Sequence, residues 1–168
     1  MIRLHIVVEG QTEESFINEV LAPELGLRDV FIDAHSITTG RRLGRAFRGG
    51  WNSYGKLLRD LSLWMKQDQN DDSWFSTMVD LYRLPNDFPG YDICQAISEP
   101  KRRVECLEDR FACDVREQFG DSIISRRFIP YIQLHEFEAL LFSDPDKFLY
   151  AFPDAGSAIE ELHAIRVR

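Results

Sequence analysis

The sequence predicts an α/β fold: a mostly parallel sheet of about four strands flanked by helices, a Rossmann-like plan. Short apolar segments rich in β-branched residues alternate with segments whose apolar residues recur at helical spacing. This alternation is typical of parallel sheets, in which a crossover helix follows each strand. Two of the strand segments also end in an acid, Glu9 and Asp80, at the position where open α/β sheets bind ligands.

Length and composition predict a single domain over residues 1–168, the alternative being an excerpt that lacks its C-terminal end. The chain has 168 residues, of which 44% are hydrophobic and 29% charged, so one core is expected. Without an apolar run of about 18 residues or a signal-peptide pattern, we expect a cytoplasmic protein with no membrane contact. Three cysteines without a CxxC pair, Cys94, Cys106 and Cys113, predict free thiols instead of a disulfide or zinc site.

The first elements are a strand, a helix and a second strand. The strand covers residues 3–8. The helix covers residues 13–21, with Thr12 as its N-cap and acids in its first turn, where the helix dipole favours them. Pro23 is expected to end or bend this helix. A partly alternating pattern predicts the second strand over residues 30–37.

The middle of the chain is predicted to hold a helix, a strand and a helical region. Apolar residues at helical spacing indicate a helix over residues 54–67. Residues 74–81 are apolar and β-prone, and the two prolines and one glycine within residues 82–90 predict a loop. A long helix or helix pair over residues 93–119 follows, with Pro100 as the expected break.

The last part of the chain is predicted to form one strand and three short helices. The strand covers residues 128–134, where Pro130 indicates an edge position or a bulge. Helices are expected over residues 136–142, 146–151 and 158–165. In a parallel sheet the carboxyl ends of the strands share one edge, so Glu9 and Asp80 should lie at the same edge.

Two carboxylates at one sheet edge predict a site for a hard divalent cation. Mg²⁺ is held by few carboxylates together with waters and substrate phosphates, and it can activate water for phosphodiester hydrolysis. Glu138, shortly after the last strand, is the third candidate acid, and His135 and Glu136 are further candidates. The competing interpretations are that each acid caps the turn that follows it and that His135 is a hydrogen-bonded structural residue.

A basic segment lies within this acidic chain. The net charge is −8, yet residues 34–59 contain no acid and carry six basic residues, four of them arginines close together: Arg41, Arg42, Arg45 and Arg48. These four are the candidate nucleic-acid contacts, since arginine binds phosphate bidentately. Five glycines within residues 38–55 predict a loop there with at most one helical turn. The alternative is an arginine-rich surface loop without a ligand.

Three blocks of sequence resemble a bacterial Toprim-like family of formally unknown function. IVVEGQTEESF is similar to the opening Toprim motif, MVDLYRLPNDFPG to the second motif, and YIQLHEFEALLFSD to the third block. The blocks occur in the same order and span residues 3–144. Members of that family are similar in plan to the nuclease half of OLD-type proteins and often lie beside genes for ABC-type ATPases in anti-phage loci.

The resemblance implies a Toprim fold, Mg²⁺ or Mn²⁺ as cofactor, and phosphodiester hydrolysis on DNA or RNA. It assigns Glu9, Asp80 and Glu138 as catalytic and metal-binding residues. It also implies an ABC-type ATPase as partner protein and leaves room for oligomerisation. The chain departs from the family pattern at Tyr82, where the Toprim DxD motif has a second acid. Asp87 and Asp92 in the following segment are the candidates to replace that acid.

Two hypotheses about function follow. The first is a metal-dependent nuclease that acts as the effector of an anti-phage system. The second is a non-catalytic Toprim-like binding or sensor subunit that docks on an ATPase or toxin. The missing acid at position 82 keeps the second hypothesis open.

Overall fold

The computed structural model describes residues 1–42, 45–48, 51–120 and 123–166. Its main sheet has five strands, with order β2-β1-β5-β6 and with β7 also paired to β5, and every pairing is parallel. The strands of the described residues are β1 (Ile2–Val8), β2 (Val30–Ser36), β3 (Thr38–Arg42), β4 (Arg45–Arg48), β5 (Ser73–Asp80), β6 (Phe128–Ile129) and β7 (Ile132–Gln133). The predicted α/β class with a mostly parallel sheet is therefore confirmed.

Helices follow the strands in the predicted alternation. They are α1 (Gln11–Phe16), α2 (Ala22–Gly26), α3 (Tyr54–Gln67), α4 (Tyr91–Cys94), α5 (Pro100–Phe119), α6 (Ile123–Arg126), α7 (Phe148–Ala151) and α8 (Gly156–Arg166). A π-helical turn, Ile17–Leu21, joins α1 to α2, and 3₁₀ turns cover Leu81–Arg83, Phe137–Ser143 and Pro145–Lys147. Within the described residues, no helix has both the length and the apolar character needed to cross a bilayer.

The core forms around the central strands β1 and β5. Consecutive residues are buried at the ends of both strands, 6–8 in β1 and 77–80 in β5, as expected where a parallel sheet is covered on both faces. Helix α5 contributes Phe111, which is fully buried and makes edge-on ring contacts with Tyr54, Phe88 and Phe128. These aromatic contacts connect α5 to α3, to β6 and to the loop that follows β5.

The start of the first helix differs from the prediction. Helix α1 begins at Gln11 with Gly10 as its N-cap, so the assignment of Thr12 as N-cap is wrong. Glu13 explains the shift, because its Oε2 accepts the Gly10 N–H at 2.9 Å, and this bond from N3 back to the N-cap fixes the helix start at Gly10. Pro23 lies in the first turn of α2, where its missing N–H costs no helical hydrogen bond, and the helical segment continues past it.

The basic segment forms a β-hairpin, so the predicted loop is wrong for the residues of β3 and β4. The two strands pair antiparallel, with Arg42 opposite Arg45. The glycine content predicted an irregular segment, but backbone hydrogen bonds between the two strands stabilise an extended structure. The Thr38 N–H donates to Asp60 Oδ2 at 2.6 Å, which fixes the first residue of the hairpin to α3. Positions 43, 44, 49 and 50 of the predicted loop lie outside the described residues.

Helices α4 and α5 confirm the predicted break at Pro100, which occupies the first turn of α5. Glu99 caps α5 by accepting the N–H groups of Lys101 and Arg102 at 3.0 and 2.8 Å. Cys94 and Cys106 form a disulfide with their Cα atoms 5.9 Å apart, so the prediction of free thiols is wrong for this pair. The spacing of the cysteines did not predict this disulfide, because it is the packing of α4 on α5 that brings the two residues together.

Pro130 divides the predicted fourth strand into β6 and β7, which both pair with β5. Proline lacks the N–H that a continuous ladder needs, so the predicted irregularity is confirmed. The described chain separates into two compact units, residues 1–134 and residues 135–168. The second unit contains α7 and α8, and within it His163 Nε2 lies 2.9 Å from Asp146 Oδ1.

Candidate functional site

Glu9 and Asp80 lie side by side at the carboxyl edge of the main sheet. Val8 is in register with Met78, and the Glu9 N–H donates to the Met78 carbonyl at 3.2 Å. Only 9% of Glu9 and 5% of Asp80 is exposed. The sequence therefore correctly predicted that these two acids, called here the carboxyl-edge pair, share one edge.

The carboxylate of Glu9 is held across the strands and not by the turn that follows it. It accepts a hydrogen bond from the backbone N–H of Asp80. The Arg83 Nε lies 3.6 Å from Glu9 Oε1. The Trp51 indole also faces the carboxylate, although neither Trp51 Nε1 nor Glu9 Oε2, both buried, has a hydrogen-bond partner of good geometry. Glu9 Oε2 is thus enclosed against the indole, while Oε1 faces Arg83.

Burial raises the pKa of Glu9 above its ordinary value, and the charge of nearby Glu13 adds to the rise. The hydrogen bond from Asp80 and the guanidinium of Arg83 oppose this effect without cancelling it. The folded protein therefore disfavours the ionised form of Glu9. A bound cation would reverse this preference, and such perturbed carboxylates are common at functional sites.

Glu9→Gln is expected to stabilise the protein at neutral pH. A folded-state pKa above the unfolded value means that ionised Glu9 costs stability, and this cost disappears as pH falls through the folded pKa. We expect the free energy of unfolding to rise by about 0.5–2 kcal/mol at pH 7. Urea denaturation of both proteins should show this difference shrinking as the pH is lowered through the Glu9 pKa. A less stable variant at pH 7 would contradict the assignment.

Neutral polar groups surround Asp80 on the other side. Gln133, on β7, is in register with Asp80 and is buried. The Tyr131 hydroxyl donates to Gln133 Oε1. Burial raises the pKa of Tyr131, as do the charges of Glu108 and Asp80, so this hydroxyl stays protonated beside the site. Sequence reasoning did not single out these two residues, although both lie in the third block.

Neighbouring acids have structural tasks. Glu14 Oε2 accepts the Ser36 N–H at 3.0 Å, which ties α1 to the end of β2. Asp87 accepts from the Ser53 hydroxyl and the Tyr54 N–H, both at 2.9 Å, and so caps α3. Asp87 therefore does not take the place of the missing DxD acid. Asp92 lies exposed in the first turn of α4.

The structure leaves the other predicted site residues as predictions. Glu138 lies in the second unit, on the 3₁₀ turn Phe137–Ser143, and its side chain is outside the described part of the chain. His135 and Glu136 belong to the same unit. The backbones of the four candidate arginines lie on β3 and β4, and their side chains are not among those described: Arg41, Arg42, Arg45 and Arg48.

Of the predicted metal site, the structure describes the carboxyl-edge pair. Among the side chains that the structure describes, no group of three or more His, Cys, Asp or Glu residues is arranged to hold a metal. Mg²⁺ is nevertheless commonly held by one or two carboxylates, with waters and substrate phosphates as its other ligands. Two hard oxygen donors, the carboxylates of Glu9 and Asp80, fit this mode of binding.

Comparison with known proteins gives a family without an assigned activity. A family model described as "Domain of unknown function (DUF4276)" matches residues 8–167, a range that starts at the last residue of β1 and includes β2, the hairpin, β5, β6 and β7. No curated protein and no solved structure matches the chain significantly.

Proposed function

We propose that this chain, which belongs to the family described as a domain of unknown function (DUF4276), is a Toprim-like, Mg²⁺- or Mn²⁺-dependent nuclease. The observation that carries the proposal is the carboxyl-edge pair, two buried carboxylates at the ligand-binding edge of a parallel sheet. The raised pKa of Glu9 supports the proposal, because burying an ionised carboxylate is costly unless a cation compensates its charge.

Glu9 and Asp80 would hold the cation, and the bound cation would polarise a phosphodiester of DNA or RNA and stabilise the leaving oxygen. Arg83 lies beside this position with 62% of its side chain exposed. Its guanidinium can therefore leave Glu9 and donate hydrogen bonds to a phosphate oxygen of the substrate instead. Trp51, which faces Glu9 from the buried side, packs edge-on against Phe88 at 6.4 Å between ring centroids.

In this proposal the protein works in the cytoplasm as the effector of an anti-phage system, together with an ABC-type ATPase. These parts depend on the resemblance of three sequence blocks to the Toprim-like family. The assignment of Glu138 as a catalytic acid stays a prediction on the same basis.

A cleavage assay tests the proposal. The purified chain, alone and with a co-expressed ABC-type ATPase, is incubated with plasmid DNA, single-stranded DNA and RNA in the presence of Mg²⁺, Mn²⁺ or EDTA. We expect cleavage of at least one substrate with a metal and none with EDTA. Uncut substrates in every combination would contradict the nuclease proposal.

The arginines of the hairpin are expected to bind the phosphates of the substrate. Replacing Arg41, Arg42, Arg45 and Arg48 by alanine should weaken nucleic-acid binding. The slope of log K against log salt concentration should also become shallower, by roughly 0.9 for each duplex phosphate that is no longer contacted. The measurement is fluorescence anisotropy across a salt series. Four exposed cations outside the hairpin give a matched control with the same change in charge: Arg28, Lys101, Arg102 and Arg116. Equal salt slopes in both variants would refute the hairpin as the binding face.

The second candidate is a non-catalytic binding or sensor subunit that docks on an ATPase or toxin. Tyr82, which is 62% exposed where Toprim domains have an acid, favours it, as does the ion pair between Arg83 and Glu9. In that case the chain would bind its partner equally well with Glu9→Gln, and no metal would support cleavage.

A further inference from the structure

A small pocket opens between α3 and the end of β2, one strand away from Glu9. Its volume is about 150 Å³, and its walls include His35, Thr38, Asp60, Leu63, Trp64 and Gln67. A cavity of roughly this size holds a single benzene-sized ring. The pocket is therefore large enough for one flat heterocycle.

One wall of the pocket is aromatic and fixed in position. Trp64 packs edge-on against His5 at 4.9 Å and against His35 at 4.6 Å between ring centroids. These contacts hold the indole in place without a ligand. Base–aromatic stacking needs such a prepositioned ring, and it tolerates every base because each has a π-face.

The other walls carry hydrogen-bonding groups suited to a heterocycle. Asp60 is oriented by the Thr38 N–H on one oxygen and by Arg59 on the other, at 2.6 and 3.1 Å. A carboxylate oxygen has two lone pairs, so each oxygen can accept a second donor such as an exocyclic amine. Gln67, exposed at the rim, offers an amide that can donate and accept.

The pocket lies between the start of the basic hairpin and the strand that leads to Glu9. Thr38 is both a pocket residue and the first residue of the basic hairpin, in which Arg42 and Arg45 are direct cross-strand neighbours. On the other side, Ser36 of the pocket is in register with Val8, the residue before Glu9.

We propose that this pocket binds one unstacked nucleobase of a single-stranded nucleic acid whose phosphates run along the hairpin. The inference rests on the proposed nuclease function and adds to it a base-binding subsite. Trp64 supplies the stacking surface, while Asp60 and Gln67 contact the edge of the base. The proposed nuclease would therefore prefer single-stranded or locally opened substrates.

The test compares two fluorescent oligonucleotides of equal length in EDTA, one with all its bases and one with abasic residues. Wild-type protein should bind the base-containing strand roughly 5- to 150-fold more tightly, the range that one stacked base supplies. Trp64→Leu should bring this ratio close to one. Because Trp64 also packs against two histidines, Leu63→Glu and Gln67→Ala, at exposed positions of the rim, test the same point without a change in the core.

Leu27→Glu, at a residue that is 85% exposed and outside the pocket, is the matched control and should keep the wild-type ratio. Equal binding of both strands by the wild type, or an unchanged ratio in both rim variants, would overturn the proposal. Cleavage with Mg²⁺ is scored in parallel. A preference for the base-containing strand without cleavage would support the base-binding pocket and contradict the nuclease proposal. Cleavage without this preference would support the nuclease proposal and contradict the base-binding pocket.

Discussion

Asp80→Asn is expected to lower metal-dependent cleavage of nucleic acid by at least about a hundredfold. Substitutions beyond the direct ligands of a metal site already cost roughly 10–100-fold, and Asp80 is proposed as a direct ligand. The change keeps the size of the side chain, removes its charge and replaces one acceptor oxygen by an NH₂ donor. Asp80 is 5% exposed and lies in the last position of β5, so the substituted amide remains at the same place.

The control is Asp33→Asn, the same change of acid to amide at an exposed position of β2. It should cleave at the wild-type rate. Circular dichroism of both variants separates loss of activity from loss of fold. If Asp80→Asn is folded and cleaves as well as Asp33→Asn does, Asp80 has no part in the reaction.

Phe111→Ala is expected to destabilise the first unit by about 3–5 kcal/mol, the usual cost of truncating a buried phenylalanine to alanine. Phe111 is fully buried, and its ring centroid lies 5.6, 5.1 and 4.8 Å from those of Tyr54, Phe88 and Phe128. These rings come from different elements, so the cavity cannot close by movement of one side chain. Urea denaturation measures the loss.

Phe31→Ala serves as the matched control, because Phe31 is 52% exposed on β2. Its expected cost is below about 1 kcal/mol. The core also supports the site, since Phe88 packs against both Phe111 and Trp51, which faces Glu9. Equal stability of the two variants would show that the aromatic cluster does not hold these elements together.

The sheet and its acidic edge could be predicted from the sequence because both depend on local patterns. Apolar runs locate β1 and β5, and parallel strands necessarily bring their carboxyl ends to one edge. Glu9 directly follows β1, and Asp80 is the last residue of β5. Their meeting therefore required no knowledge of tertiary packing.

The surroundings of the pair could not be predicted, because they come from distant parts of the chain. Trp51 enters from beyond the hairpin and Gln133 from β7, and neither position carries a local signal of its role. The hairpin itself was missed because glycine content indicates where a helix fails, not which extended pairing replaces it. The disulfide between Cys94 and Cys106 likewise depends on helix packing and not on spacing.

The central claim, that Glu9 and Asp80 form one divalent-cation site, is tested most directly by calorimetric titration of Mn²⁺ and Mg²⁺. The titrations use the wild type, Glu9→Gln, Asp80→Asn and the exposed control Glu24→Gln. We expect a cation site in the wild type and the control, and at least about a tenfold loss of affinity in each site variant. Equal affinity in all four proteins would contradict the account.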